Sequence, residues 1–185
     1  QTCALPIFLI DKHTSMPLFA MAGYFMKVSQ NFYAETFLKA LGGAGTTAAG
    51  RKVVHDTLLS WGVPEGAFLQ DDGSGLSRYN YVSAETMVIV LRHMWQEDRH
   101  RGYFAASLPV GGHDGTLENR MKGSVLDARV QAKTGTIRNV RALSGYLETK
   151  SGERLVFSMI ANHFTAPTPQ IDAVVERALA RLAEQ

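Results

Sequence analysis

The chain holds one cysteine in 185 residues, Cys3, and it falls in a stretch that does not read as native protein. Gln1-Thr-Cys-Ala-Leu-Pro-Ile7 back-translates as CAG ACG TGT GCT CTT CCG ATC, a string similar to a common short-read sequencing adapter. We expect residues 1–7 to be translated adapter and the natural N-terminus to be lost, and such a segment is set aside from fold reasoning. Native codons upstream, continuous with Gln1 in the parent DNA, would overturn this. Without Cys3 there is no disulfide, no thiolate nucleophile and no zinc–thiolate site. Histidine is scattered: none of His13, His55, His93, His100, His113 and His163 falls at a His-x-x-x-His spacing, which argues against metal catalysis. Gly111-Gly112 is followed by no Lys-Ser/Thr and is not a phosphate loop. No metal and no organic cofactor is expected. No apolar run nears the roughly 20 residues of a membrane span, and there is no internal repeat or low-complexity tract. Excess charge is lacking too: 19 Lys and Arg against 17 Asp and Glu leave +2, too little to imply nucleic acid.

What is present is an ordinary globular composition, 45% apolar and 19% charged, in a length suited to one domain that can bury a substantial core. Leu18, Met21, Ala22, Phe25 and Met26 are spaced as one helical face after Pro17. Tyr33, Ala34, Phe37, Leu38 and Leu41 form another, stopped by Gly42-Gly43. A third helix is predicted over 46–61, with Val53, Val54, Leu58 and Leu59 inward and Gly62-Val63-Pro64 as its breaker. Ser83 is a plausible N-cap for a fourth helix through about Gln96. Asp71–Ser77 and Leu108–Gly115 read as loops. Val125–Ile137, Ala142–Glu148 and Arg154–Ala161 read as containing strands, the last two joined by a turn at Ser151-Gly152, and a closing helix begins at Pro169. Helices, then successive strands on short turns, then a helix argue for an α/β or α+β layered fold: an antiparallel sheet packed by helices.

Two short patterns carry chemistry. In Lys133-Thr-Gly-Thr136, a partly buried lysine can supply a fixed positive charge and relay a proton. Gly135 clears the strand edge for an acyl group, and the Thr136 N–H can face a developing oxyanion. Ser29-x-Asn31 sets a hydroxyl and an amide two residues apart, one to relay a proton and one to hold a carbonyl. Helix capping is the plainer use of such a serine. Several other signals read as structure. Met87, Met94 and Trp95 suit a core, and His113 suits a solvated or capping role. The basic excess of Arg120, Lys122, Arg129, Lys133, Arg138 and Arg141 over Glu118 and Asp127 suits either a solvated face or the steering of an anionic peptide.

A Lys-Thr-Gly signature beside Ser-x-Asn belongs to the penicillin-recognising serine acyl-enzymes. Ser29-x-Asn31 with Ala34-Glu35 and Leu41-Gly42, then Asp72-Gly-Ser-Gly-Leu-Ser-Arg78, Leu108–Leu117 with Arg120, and Ala132–Thr136 with Ala142–Tyr146 follow one another in order. From about His13 onward the chain resembles the class C low-molecular-mass penicillin-binding proteins, which are serine D-alanyl-D-alanine carboxypeptidases and endopeptidases. One departure stands out: no Ser-x-x-Lys, the motif of the nucleophile, occurs in this sequence. Thr36-Phe-Leu-Lys39 has its spacing but reads as helix surface.

The resemblance implies a penicillin-binding transpeptidase/β-lactamase-like fold, incomplete at the N-terminus, with residues 8–185 as the C-terminal part of the catalytic domain. It implies Ser29, Asn31 and Lys133 as catalytic residues: Lys133 and Ser29 bracketing the missing serine, Asn31 binding the peptide carbonyl. It implies Thr134, Gly135 and Thr136 at the substrate carboxylate, and Asp72, Ser74, Ser77 and Arg78 shaping the cleft. The implied partners are peptidoglycan stem peptides, with β-lactams as inhibitors of the intact enzyme, in an extracytoplasmic setting, periplasmic or wall-associated. The polypeptide itself is expected to form no acyl-enzyme, and to expose sheet edges and apolar surface that lower its solubility. Rival expectations are a β-lactamase or esterase of the same fold, or a non-catalytic cell-wall binding module.

Overall fold

The computed structural model describes residues 10–185, so the expectation for residues 1–7 lies outside the described residues. Two helices, α1 (Leu18–Val28) and α2 (Asn31–Leu41), are joined by a tight turn at Ser29-Gln30. α3 (Thr47–Ser60) begins where the Thr46 hydroxyl accepts the Ala49 N–H, and ends in a turn before Gly62. Ser83 caps α4 (Ala84–Gln96) by accepting the Thr86 N–H at 3.0 Å, a bond that satisfies one of the orphan donors of a first helical turn. α5 (Arg101–Ser107) follows, then a 3-10 turn at Gly115–Leu117. Three strands, β3 (Val130–Ile137), β4 (Val140–Glu148) and β5 (Arg154–Asn162), form an antiparallel meander in the order β3-β4-β5, and α6 (Thr168–Ala183) closes the chain. A small ribbon pairs β1 (Phe68–Leu69) with β2 (Tyr81–Val82).

The period-2 pattern of the strands sorts the core into two layers. On one face Val130, Ala132, Leu143, Leu147 and Phe157 pack with Leu117, Met121 and Leu126 against Leu179 and Ala183 of α6. On the other, Tyr146 meets Leu91 of α4, Ala105 of α5 and Leu108, with Met26 of α1 and Trp95 alongside. Burial pushes the Tyr146 phenol up to about 12, and its hydroxyl stays a donor to the Leu91 carbonyl at 2.7 Å. Helices thus cover both faces of the sheet, an α+β layered arrangement.

One sequence expectation meets exceptions, two elements went unread, and the reading of Thr36–Lys39 agrees with the structure. Leu18, Leu41 and Val53, assigned to inward faces, are exposed, and α1 buries no residue fully. α5 and the β1–β2 ribbon carry no periodic signal, being too short for one. Thr36 and Lys39 are exposed on α2, with the Thr36 hydroxyl donating to the Phe32 carbonyl, so that Ser-x-x-Lys-like spacing is helix surface.

Candidate active site

Ser29 ends α1 in the left-handed conformation, φ 58°, ψ 53°. A serine there carries a backbone cost of about 1 kcal/mol. Its hydroxyl does not cap α2: the Gln30 side chain does, accepting the Phe32 N–H at 2.6 Å. That leaves Ser29 Oγ free, and Lys133 Nζ donates to it at 2.7 Å across 104 residues of sequence. Lys133 also donates to the Thr134 carbonyl at 2.9 Å. Asn31 opens α2 one residue beyond the turn, exposed to the same cavity.

The β3 edge explains how the Lys-Thr-Gly segment faces that cavity. The Ala132 N–H donates to the Pro109 carbonyl and the Val130 carbonyl accepts the Gly111 N–H, both at 2.9 Å and both away from β4. Even-numbered β3 residues therefore point their backbone groups outward. The Pro109–Gly111 segment fills the first half of this edge. From Thr134 on, the edge is unfilled by any other backbone among the described residues, so the Thr134 and Thr136 N–H groups face the cleft, while the Thr134 carbonyl accepts from Lys133 Nζ. Gly135 adds no side chain over it; a Cβ there would touch only Ala142.

Lys133 sits above Ser144, its cross-strand partner, whose buried hydroxyl shares a 2.9 Å hydrogen bond with Ser158. Burial lowers the Lys133 ammonium to about 8. Near neutral pH it is a cation that sheds its proton readily, which suits both anion binding and proton relay. The sign of the pH effect follows. Between about 8 and the roughly 10.4 of an unfolded lysine, the unfolded chain binds more protons, so this group makes the fold more stable as pH rises through that window. Urea denaturation on either side of pH about 8 is expected to show that gain in the parent and to lose it in Lys133→Met; an identical pH profile in the two would refute it.

The cavity has a volume of about 840 Å³, and Ser29, Asn31, Thr116 and Lys133 through Thr136 line it. Asp72, Ser74 and Gly75 line the opposite side, whereas Ser77 does not line it and Arg78 is an exposed residue outside it. The loop is tied from within. Asp72 accepts the Gly75 and Ser77 N–H groups and the Asn80 amide, and Ser77 Oγ donates to Asp71. Partial burial alone would raise the Asp72 carboxyl, but the bonds from Asn80, Ser77 and Gly75 hold it below the usual range. Glu35 of α2 accepts the Gly73 and Ser74 N–H groups, and a Cβ on Gly73 would lie 2.5 Å from the Ala34 carbonyl. The loop is thus docked on the helix that starts with Asn31.

Four neighbours were given no role at the site in the sequence. Thr134 Oγ1 donates to Thr116 Oγ1 at 2.9 Å. Lys27, in the last turn of α1, pairs with Asp114 at 2.6 Å, and Asp114 also accepts the Val110 N–H, which fixes Ser29 against the loop beside β3. Arg141 donates to Thr136 Oγ1. Thr116 and Asp114 lie within the quoted Leu108–Leu117 stretch, yet nothing local marks their partners. Arg120 and Arg141, counted in the basic excess, are paired with Glu176 and Asp172, which shrinks the steering field. His113 lies 3.0 Å from Asp127 and is over half exposed. Among the described residues no His/Cys/Asp/Glu group could hold a metal, and no helix is long and apolar enough to cross a membrane.

The chain is similar to known proteins in both sequence and fold. The sequence profile of the D-Ala-D-Ala carboxypeptidase 3 (S13) family matches residues 8–182. The D-alanyl-D-alanine carboxypeptidase of Actinomadura sp. (strain R39) is 41% identical over 95% of this chain, which spans 34% of that protein's length. A crystal structure of penicillin binding protein 4 (dacB) from Haemophilus influenzae, complexed with a β-lactam, superposes with a TM-score of 0.79 and 27% identity, covering 91% of this chain and 42% of the other. The TLA-1 extended-spectrum β-lactamase matches at a TM-score of 0.73 and 12% identity, over 90% of this chain and 63% of its own, a likeness of fold alone. The fold is of the penicillin-binding and β-lactamase-like type, and by sequence the chain belongs to the D-Ala-D-Ala carboxypeptidase 3 (S13) family.

Proposed function

We propose that this chain supplies one wall of a serine acyl-transfer site that acts on the D-alanyl-D-alanine ends of peptidoglycan stem peptides, as a carboxypeptidase or endopeptidase working outside the cytoplasm. The observation that carries the reading is the 2.7 Å contact of Lys133 Nζ with Ser29 Oγ. Two groups fitted for proton relay are held together at the open edge of a strand. A peptide laid along that edge gains backbone hydrogen bonds to Thr134 and Thr136. Its terminal carboxylate meets the Thr134 and Thr136 hydroxyls and the Lys133 charge, and Asn31 takes the carbonyl of the preceding unit. When a serine attacks the scissile carbonyl, the outward Thr136 N–H is one donor to the oxyanion. Collapse of the tetrahedral adduct breaks the scissile C–N bond, expels D-alanine, or the amine of a cross-linked strand, as the protonated amine, and leaves the serine ester, which water then hydrolyses to free the serine. β-Lactams inhibit by presenting a carboxylate and a strained amide to the same groups. Residues 8–185 are the part of the catalytic domain that carries this wall, and Asp72 and Ser74 shape the facing side, with Ser77 buttressing it through Asp71 and Asp72.

The attacking serine belongs to a Ser-x-x-Lys motif, and none occurs in this sequence. The purified chain, exposed to a fluorescent penicillin, is therefore expected to carry no covalent label; a stable adduct on it would overturn the assignment of roles. The enzymatic reading is tested on the gene. An in-frame Ser-x-x-Lys upstream, and release of D-alanine from a D-alanyl-D-alanine peptide by the longer product, support it. A longer product without that motif sinks it in favour of a wall-binding module. Fast turnover of penicillins by the longer product would instead favour a β-lactamase.

A further inference from the structure

The two threonine hydroxyls at the β3 edge are held differently. Thr134 is tied to Thr116 within the loop beside it. Thr136 is exposed near the end of the strand, where three staggered rotamers and water compete for its hydroxyl. Its protein partner is Arg141, directly opposite in the β3–β4 register. Arg141 has two prongs on Asp172 of α6, Nε to Oδ1 and NH2 to Oδ2, each at 2.8 Å. Asp172 also lies 3.2 Å from Arg120, which donates to Glu176 at 2.8 Å. Arg120, Arg141 and Asp172 each expose less than a fifth of their side chains, so the guanidinium plane is set by a partly dry, charge-balanced cluster rather than by solvent.

We propose that Arg141 and Asp172 are positioning residues of the site: Asp172 fixes the Arg141 guanidinium, and Arg141 fixes the Thr136 hydroxyl as a committed outward donor. The inference rests on the carboxylate-binding role proposed above for Thr136. A guanidinium has donors and no acceptor, so its bond to Thr136 Oγ1 occupies an oxygen lone pair. The hydroxyl hydrogen is then left for an acceptor in the cleft, polarised by the adjacent positive charge. Such a donor favours a free carboxylate over a terminal amide, which brings donors of its own. α6 thereby reaches a specificity element although it does not line the cleft.

Two readouts on the 185-residue chain test this. The first is the Thr136 side-chain rotamer, read from three-bond couplings to its ¹³C-labelled methyl. One rotamer is expected in the parent, and averaging in both Arg141→Met and the isosteric Asp172→Asn; an unchanged rotamer in folded Asp172→Asn would overturn the proposal. Should Arg141→Met fail to melt cooperatively, Arg141→Lys replaces it, with partial averaging expected. The second is titration with N-acetyl-D-alanyl-D-alanine and with its C-terminal amide. The parent is expected to prefer the acid about tenfold, the usual worth of one hydrogen bond to a charged group. Asp172→Asn should cut the ratio several-fold while the Lys133 charge retains part of it, and Thr136→Ser should keep the parent ratio where Thr136→Val does not. Binding of neither peptide, with the rotamer still coupled to Asp172, would refute the substrate reading and leave the positioning intact. A ratio unchanged between the parent and folded Asp172→Asn would refute the positioning.

Discussion

Gly145→Ala is expected to destabilise the chain by about 3 kcal/mol and to dismantle the site with it. Gly145 lies in the middle of β4 opposite Ala132, one residue before Lys133. A Cβ built there would fall 2.1 Å from the Gln131 carbonyl oxygen and 2.6 Å from the Ala132 Cα. Both obstacles are backbone, and neither can step aside as a flexible side chain could. The strand itself must move outward, against the Pro109–Gly111 segment that fills its other edge. Lys133 moves with it, loses its 2.7 Å contact to Ser29 and regains water. Two measurements follow. The urea midpoint should fall, and the Lys133 titration, followed by side-chain NMR, should climb from about 8 toward its ordinary value near 10.5. Gly102→Ala in α5 is the matched control. Open space surrounds that position, so alanine there should stabilise by about 0.5 kcal/mol. Equal stability of Gly145→Ala and the parent would show that β3 and β4 do not pack this closely.

Leu179→Ala should cost a similar amount, about 3 kcal/mol, by a different route. Leu179 is fully buried where α6 lies on the sheet, against residues of β3, β4 and β5. Removing its branched end opens a cavity in the one layer that fastens α6. Asp172 and Glu176 sit on the same helix, so their pairs with Arg141 and Arg120 should loosen with it. Broadening of the Arg141 side-chain Nε–H signal would report that, alongside a lower unfolding midpoint. Leu18→Ala makes the contrast. The two leucines look equally inward from helical spacing, but Leu18 is 66% exposed, and its truncation should change stability by no more than about 0.5 kcal/mol. A large loss at Leu18, or none at Leu179, would mean that the burial pattern is wrong.

That contrast marks where the sequence stops being legible. Strand identity could be read because β4 and β5 are short, largely apolar runs joined by a Gly-containing turn. The start of α4 could be read because Ser83 caps it locally. The interior face of α1 could not, since periodicity says which residues share a side and not what covers it. α5 and the β1–β2 ribbon are held by neighbours rather than by their own pattern. At the site, Lys133 and Ser29 could be named because each sits in a short motif with its own chemistry. Arg141 could not: its role depends on Asp172, 31 residues on, and on Thr136 across a turn. In the sequence it reads as one more surface cation.

The open backbone that suits β3 to a peptide also bears on how the chain behaves at concentration. A bare strand edge invites the strand of another copy. β3 is shielded, because Pro109 and its neighbours fill the inner half and only Thr134–Ile137 stays open. β5 has no such guard. It runs Arg154–Asn162 without a proline and, among the described residues, pairs only with β4. The two edges call for opposite engineering. In this 185-residue chain, a charge or proline introduced to keep the protein monomeric belongs on the β5 edge rather than on β3, where the exposed amides are the ones a substrate would use.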